Sequence, residues 1–216
     1  MTTTTTTPAI AGARFAGWTG IAFVVTFVAG FFLVAQVPAY DAPDADWVAW
    51  VEEDNVQTTI GTLLLTAAGL LLVAFVTSLA SVVRGPGAGD GDPIVGVIRG
   101  VGTTAGVTLV VAALVGGAMS AGVTFAPEFD APGAELIRSL DQLSIGLVLV
   151  GTGWSMAVTV ALASWAGRSS ATLPGWLTTA GLVAGALLLL SPMFVPIVLV
   201  PLWALVTGIV VLRSSW

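Results

Sequence analysis

Residues 58–84 read TTIGTLLLTAAGLLLVAFVTSLASVVR, an uncharged run from Thr58 to Val83 closed by Arg84. As a helix rising about 1.5 Å per residue, such a run reaches about 39 Å, beyond a hydrocarbon core of about 30 Å. It therefore predicts a membrane-spanning helix with Arg84 left in the aqueous layer. The reading repeats along the chain. Runs at 15–37, 100–123 and 143–165 are each long enough to cross, and a longer one covers 175–212. That last run is interrupted by Ser191-Pro192-Met193-Phe194-Val195-Pro196. Two prolines remove backbone donors and break a single long helix. Two short spans, 175–190 and 197–212, joined by a tight turn are expected.

The expected fold class is thus all-α, an integral membrane bundle of six transmembrane helices forming one domain over 15–213. The Thr-rich stretch 1–14 reads as a disordered tail. A signal peptide also combines a basic start with an apolar core, but its core is about 7–15 residues. The run 15–37 is longer, so an uncleaved first helix is expected.

Composition points the same way. Hydrophobic residues make up 56% of the chain and charged residues 8%, with a mean hydropathy of +1.02. Soluble domains carry about 25% charged residues, so the lipid bilayer is the expected surrounding. The chain has no Cys, His or Lys. Disulfides, thiolate or imidazole metal sites and the commonest general base are therefore excluded. No catalytic, metal or cofactor residues are expected. A net charge of −6 argues against a nucleic-acid partner. Arginine to the exclusion of lysine, with abundant Ala, Gly and Val, suits a high-GC bacterial genome and hence a bacterial inner (plasma) membrane.

The charges orient the chain. Arg14, Arg84, Arg99, Arg168 and Arg213 alternate with two acidic loops. The first carries Asp41, Asp44, Asp46, Glu52, Glu53 and Asp54; the second carries Glu128, Asp130, Glu135 and Asp141. Cytoplasmic loops favour Arg, so both termini are expected to be cytoplasmic, with Arg138 the one basic residue outside. A five-span chain would send Arg213 outside. Tyr40, Trp47 and Trp50 mark the outer headgroup layer, and Trp18, Trp165, Trp176 and Trp216 the inner one. Trp154 and Trp203 fall nearer mid-membrane, where an indole N–H needs a partner.

Three groups of residues invite a functional reading. The first outer loop suits a short interfacial helix from about Asp44, with Trp47, Trp50 and Val51 on one face toward lipid. Its acids invite a reading as a cation vestibule or a calcium site, but calcium needs about six to eight convergent oxygens, so a solvated loop is expected. In the second loop Glu135, Arg138 and Asp141 recur every three residues and suit i, i+3 pairing. Arg138 is expected to neutralise these acids or the first loop rather than bind a substrate. Within the spans, Thr62, Thr66 and Thr77 of the second and Thr152, Ser155 and Thr159 of the fourth each trace a stripe at helical spacing, together a candidate polar seam. Such stripes serve solute passage or helix packing, and small-residue packing is the expected role. No ionisable group lies inside the central spans, which disfavours proton-coupled transport.

The acidic Trp-bearing loop after span one, the Gln57–Val83 span ending in Arg84, and Leu173-Pro174-Gly175-Trp176-Leu177 before the last hairpin together resemble a known family. It comprises the bacterial multi-pass proteins grouped as domain of unknown function 4386. Leu-Pro-x-Trp-Leu often precedes their final hairpin, and a Trp in the last span would here be Trp203. The resemblance implies a six-span membrane protein and carries no site residues. The expected role is a structural or accessory membrane subunit without catalysis, bound to a membrane-protein partner or to further copies of itself. The alternative is a transporter or channel for a small solute along the hydroxyl seam.

Overall fold

The structure is a computed structural model that describes residues 7–53, 55–84, 92–126, 128 and 132–214. Residues 1–6 of the expected tail, with Asp54, Asp130 and Trp216, lie outside the described residues. Among the described residues the chain is all-α. Helix α1 spans Thr7–Val34, α2 Asp44–Glu53, α3 Asn55–Val83, α4 Pro93–Phe125, α5 Ala134–Gly146, α6 Gly153–Ser169, α7 Gly175–Leu188 and α8 Leu199–Ser214. A π-helical turn, Leu147–Thr152, joins α5 to α6 without a break, and two 3₁₀ turns, Ser191–Met193 and Val195–Val198, link α7 to α8.

Among the described residues, five helical stretches are long and apolar enough to cross a membrane: Ala11–Val34, Asn55–Val83, Pro93–Phe125, Ala134–Ser169 and Val195–Ser214. Gly175–Leu188 is apolar but shorter. Helices overrun the expected spans at several ends. Helix α1 begins at Thr7 instead of near residue 15, and Pro8 suits a helical first turn because its missing N–H has no intrahelical partner there. Asp92 accepts a hydrogen bond from the Ile94 backbone N at 2.9 Å, and Pro93 follows at the first helical position, so α4 starts before residue 100.

Packing rests on missing side chains. Between apolar helices in lipid there is little hydrophobic drive, so close backbone approach and dispersion must hold them. A Cβ on Gly69 of α3 would lie 2.8 Å from the Gly106 carbonyl O of α4, and one on Gly106 would lie 2.7 Å from the Gly69 O. The same reciprocal contact joins Gly30 of α1 to Gly61 of α3, at 3.0 and 3.1 Å, and Gly17 of α1 to Gly208 of α8, at 2.9 and 3.0 Å. Gly185 of α7 approaches the Ala157 carbonyl of α6 at 2.9 Å in the same sense. Helix α1 thus lies between α8 and α3, α3 between α1 and α4, and α6 between α4 and α7. Leu72, Phe75, Val76, Ile98, Met156 and Trp203 fill the centre. Phe75 meets Trp203 edge-on, with ring centroids 5.9 Å apart.

These contacts sort the charges. At one end of the bundle Gly17 meets Gly208, Arg99 donates to Ser81 Oγ at 2.8 Å, and Ser170 Oγ donates to the Val83 carbonyl at 2.9 Å. The helix termini carrying Arg14, Arg84, Arg99, Arg168 and Arg213 therefore share that end. At the other, Gln57 Nε2 donates to the Leu33 carbonyl at 3.2 Å, and the Thr59 and Thr124 hydroxyls lie 3.1 Å apart. The acidic segments gather there.

Trp18, Trp165 and Trp176 are exposed near the arginine end, and Tyr40 near the acidic end, as headgroup-layer aromatics should be. The lipid-facing surface expected for Trp47, Trp50 and Val51 is corrected: they are buried against Ala134 and Ile137 of α5. An i, i+3, i+4 apolar face specifies an apolar neighbour but not whether that neighbour is lipid or protein.

Candidate functional site

The six hydroxyl residues of the expected seam do not act alike. Thr77 Oγ1 donates back to the Val73 carbonyl at 2.7 Å and Thr159 Oγ1 to the Ser155 carbonyl at 2.8 Å, so both are satisfied within their own helices. Ser155 supplies that carbonyl. Thr152 Oγ1 crosses to the Ala105 carbonyl of α4 at 3.3 Å. Thr66 Oγ1 is buried without a partner among the described residues. Between α3 and α6 stands Gly102 of α4, where a Cβ would strike Val76 on one side and come within 3.3 Å of the Thr159 methyl on the other. Helix α4 fills the space between the two stripes. Thr62, the outermost, is the only one of the six to line the cavity described next.

That cavity, of about 310 Å³, sits toward the acidic end and is partly open to the outside. Phe27, Phe31 and Val34 of α1 form one wall, and Leu65 of α3 with Leu109 and Ala113 of α4 form the back. Val148 and Leu149 of the π-helical turn form a third wall, and Phe194 and Ile197 of the α7–α8 link the fourth. The arrangement has a topological cause. Near the arginine end α1 is held to α8 through Gly17 and Gly208, whereas near the acidic end it is held to α3 through Gly30 and Gly61. The space between α1 and the α7–α8 link is left open above the first contact.

Polar groups on this apolar surface are few: Asp141 and Ser144 of the α5 segment, Thr58 and Thr62 of α3, and the Trp50 side chain of α2. Ser144 Oγ donates to the Ala112 carbonyl at 2.9 Å, leaving its lone pairs to accept. Among the described residues, Asp141 is the one carboxylate that lines the cavity, and no basic residue lines it.

Two backbone irregularities lie in the same walls. In the π-helical turn the regular hydrogen-bond ladder is widened, and the Leu149 carbonyl accepts the Ser191 hydroxyl from the α7–α8 link. Gly153 is pressed against that Ser191 side chain and Gly151 against Thr108, so larger residues would push both neighbours away. Phe194, with φ 69° and ψ −53°, lies close to the strained γ-turn conformation that non-glycine residues rarely adopt. Its N–H is held by the Ser191 carbonyl at 2.8 Å.

Arg138 belongs to the contact between α5 and the α2 segment rather than to the cavity. Its NH1 meets Asp44 Oδ1 at 2.7 Å, its NH2 donates to the Ala42 carbonyl at 2.7 Å, and its guanidinium lies 5.5 Å from the Trp47 ring centroid. Of the two roles expected for it, neutralising the first acidic loop is the one the geometry brings about. Glu135, one turn earlier, is exposed. The trio Glu135, Arg138 and Asp141 is thereby divided: Arg138 ties α5 to α2, and Asp141 faces the cavity.

Sequence reasoning missed the cavity itself, the π-helical turn and Phe194. The signals available were Gly151-Thr152-Gly153 inside a span and a phenylalanine between two prolines. The mid-membrane indoles divide as well. Trp154 Nε1 donates to the Leu189 carbonyl at 3.2 Å, while Trp203 Nε1 is buried without a partner among the described residues. Compared with known proteins, the chain matches no family model, no curated protein and no solved structure.

Proposed function

We propose that this protein is a six-span membrane subunit with both termini on the cytoplasmic face, serving a structural or accessory role without catalysis. A sixth crossing is supported by length. Helix α7 has 14 residues, and with the helical turns continuing to Met193 it reaches about 30 Å. Gathering of five arginine-bearing termini at one end supports the orientation, since arginines favour the cytoplasmic side. The plan is also what the resemblance of residues 173–177 implies, and a bacterial inner membrane is its setting.

The observation that carries the accessory role is the set of reciprocal glycine contacts, which join α8, α1, α3 and α4 at backbone distance. Together with hydroxyls bonded within their own helices, they favour a rigid scaffold over a conduit along Thr62–Thr159. The absence of Cys makes topology directly measurable. Single cysteines at Asp41 and Glu135 should react with an impermeant maleimide in intact cells, and those at Ser169 and Ser214 only after lysis. Labelling of Ser214→Cys in intact cells would sink the six-span reading. For the role, purification in mild detergent should yield a stoichiometric membrane partner or homo-oligomer, and repeated isolation as a lone monomer would count against it.

A further inference from the structure

The cavity at the acidic end pairs an apolar interior with one carboxylate, and that combination carries an inference beyond a scaffold role. An ionised group set among apolar walls is costly unless it meets an opposite charge or enough hydrogen bonds. Arg138, one turn before Asp141, is the nearest cation in sequence, yet it is engaged by Asp44, the Ala42 carbonyl and the Trp47 ring. The complement to Asp141 must come from elsewhere. Thr58, Thr62 and Ser144 offer hydroxyl oxygens in the same lining, and Trp50 and Phe31 offer aromatic faces. Carboxylate, hydroxyls and aromatic faces together suit an ammonium group. The acidic segments at this end of the bundle would also raise the local concentration of cations.

The remaining lining selects an apolar body. Phe27, Leu65, Leu109 and Val148 provide no hydrogen bonds from their side chains, and the volume of about 310 Å³ falls at the small end of ligand sites, about 300–1,000 Å³. Phe31 and Phe194, which line the cavity from α1 and from the α7–α8 link, are both half-exposed, so its rim reaches the surface of the bundle. The strained Phe194 backbone and the π-helical turn stand in the same walls, and both kinds of irregularity concentrate where ligands bind.

We propose that the cavity between α1, the π-helical turn and the α7–α8 link binds an amphiphilic amine, with its ammonium at Asp141 and its apolar part toward Phe27 and Leu109. The amine is either that of a lipid headgroup or that of a free lipophilic amine.

The test uses the full chain in phosphatidylcholine nanodiscs, with octylamine and octanol as probes, followed by calorimetry against empty discs. Octylamine should bind about tenfold more tightly than octanol, as a charge-assisted hydrogen bond implies. Asp141→Asn should bring the two to near equality. Equal affinities in the unmodified protein, or an amine preference that survives Asp141→Asn, overturn the proposal. Should Asp141→Asn fail to fold, Ala113→Phe fills the cavity without touching the carboxylate. It should abolish octylamine binding, and retained binding also overturns the proposal. Adding phosphatidylethanolamine to the discs separates the sources. Competition that disappears in Asp141→Asn assigns a lipid amine, no competition assigns a free amine, and competition that persists in the variant overturns the site. These outcomes are independent of the topology and oligomer measurements, so this site can fail while the accessory role stands.

Discussion

The two ends of the bundle solve the same packing problem in opposite ways. Toward the arginine end, α1 and α8 approach to backbone contact through Gly17 and Gly208, and Phe75, Leu79 and Trp203 fill the centre. Toward the acidic end, α1 leaves the α7–α8 link, a cavity opens, and a second small core forms above it. That second core, Trp47, Trp50, Val51, Ala134 and Ile137, is separate from the main one. The π-helical turn and Phe194 both border the cavity. The difference teaches that this bundle closes where small residues let backbones approach. Where bulky Phe27 and Phe31 face the 191–198 link instead, the helices stay apart.

The largest effect should come from breaking the closed contacts. Gly106→Leu sets a branched side chain against the Gly69 carbonyl and Val73, and should cost about 3 kcal/mol or more, since packed backbone cannot yield. Gly146→Ala is the matching control, because a Cβ there meets nothing; it should gain up to about 1 kcal/mol from helix propensity. Reversible denaturant unfolding of the purified protein reads both. Equal losses at the two positions would erase the distinction between closed and open packing.

Next in size, Trp47→Ala should cost about 3 kcal/mol by emptying the small outer core, but the loss should stay local. Hydrogen exchange should rise over α2 and α5 while α3 and the inner part of α4 keep their protection. Global loss of protection would show that the two cores form one cooperative unit.

Ser191→Ala removes the bond that ties the α7–α8 link to the Leu149 carbonyl. Measured hydrogen bonds between membrane helices average about 0.6 kcal/mol and reach about 1.7, so a small drop in melting temperature is expected, with faster exchange confined to 191–198. No change in either would mean that the link is held by packing alone.

The smallest effect lies at the arginine end and is favourable. Ala171 has φ 54° and ends α6 in a left-handed cap, in which the Thr172 N–H bonds the Gly167 carbonyl at 3.1 Å. A side chain in that conformation is disfavoured by about 1 kcal/mol or slightly more. Ala171→Gly should therefore raise stability by about 0.5–1 kcal/mol, after its added unfolded-state entropy is deducted. A loss of stability would mean that the cap is set by Leu173, which packs on Gly167, rather than by residue 171.

Much of the architecture was readable because it depends on composition along one chain. Uncharged runs located the spans, Pro192 and Pro196 marked the break between α7 and α8, and the alternation of Arg with acidic segments sorted the two ends. Small-residue packing was also an expectation of the sequence, although which glycines meet was not. The candidate site was harder to read. Thr62, Thr66 and Thr77 share a stripe, yet one lines a cavity, one is buried without a partner among the described residues, and one bonds its own helix. Helical spacing assigns residues to a face and says nothing of what stands opposite. Trp47 and Trp50 were misread for the same reason.

The sequence by itself determined that this chain is helical, apolar and divided into an arginine end and an acidic end, because the cost of placing charge in hydrocarbon is paid residue by residue. Only the tertiary structure decided which glycines meet, that Arg138 serves Asp44 while Asp141 faces a cavity, and that the hydroxyl stripes are separated by α4. Those outcomes depend on the order in which helices pack, and between apolar helices in lipid that order is chosen by shape complementarity summed over many weak contacts.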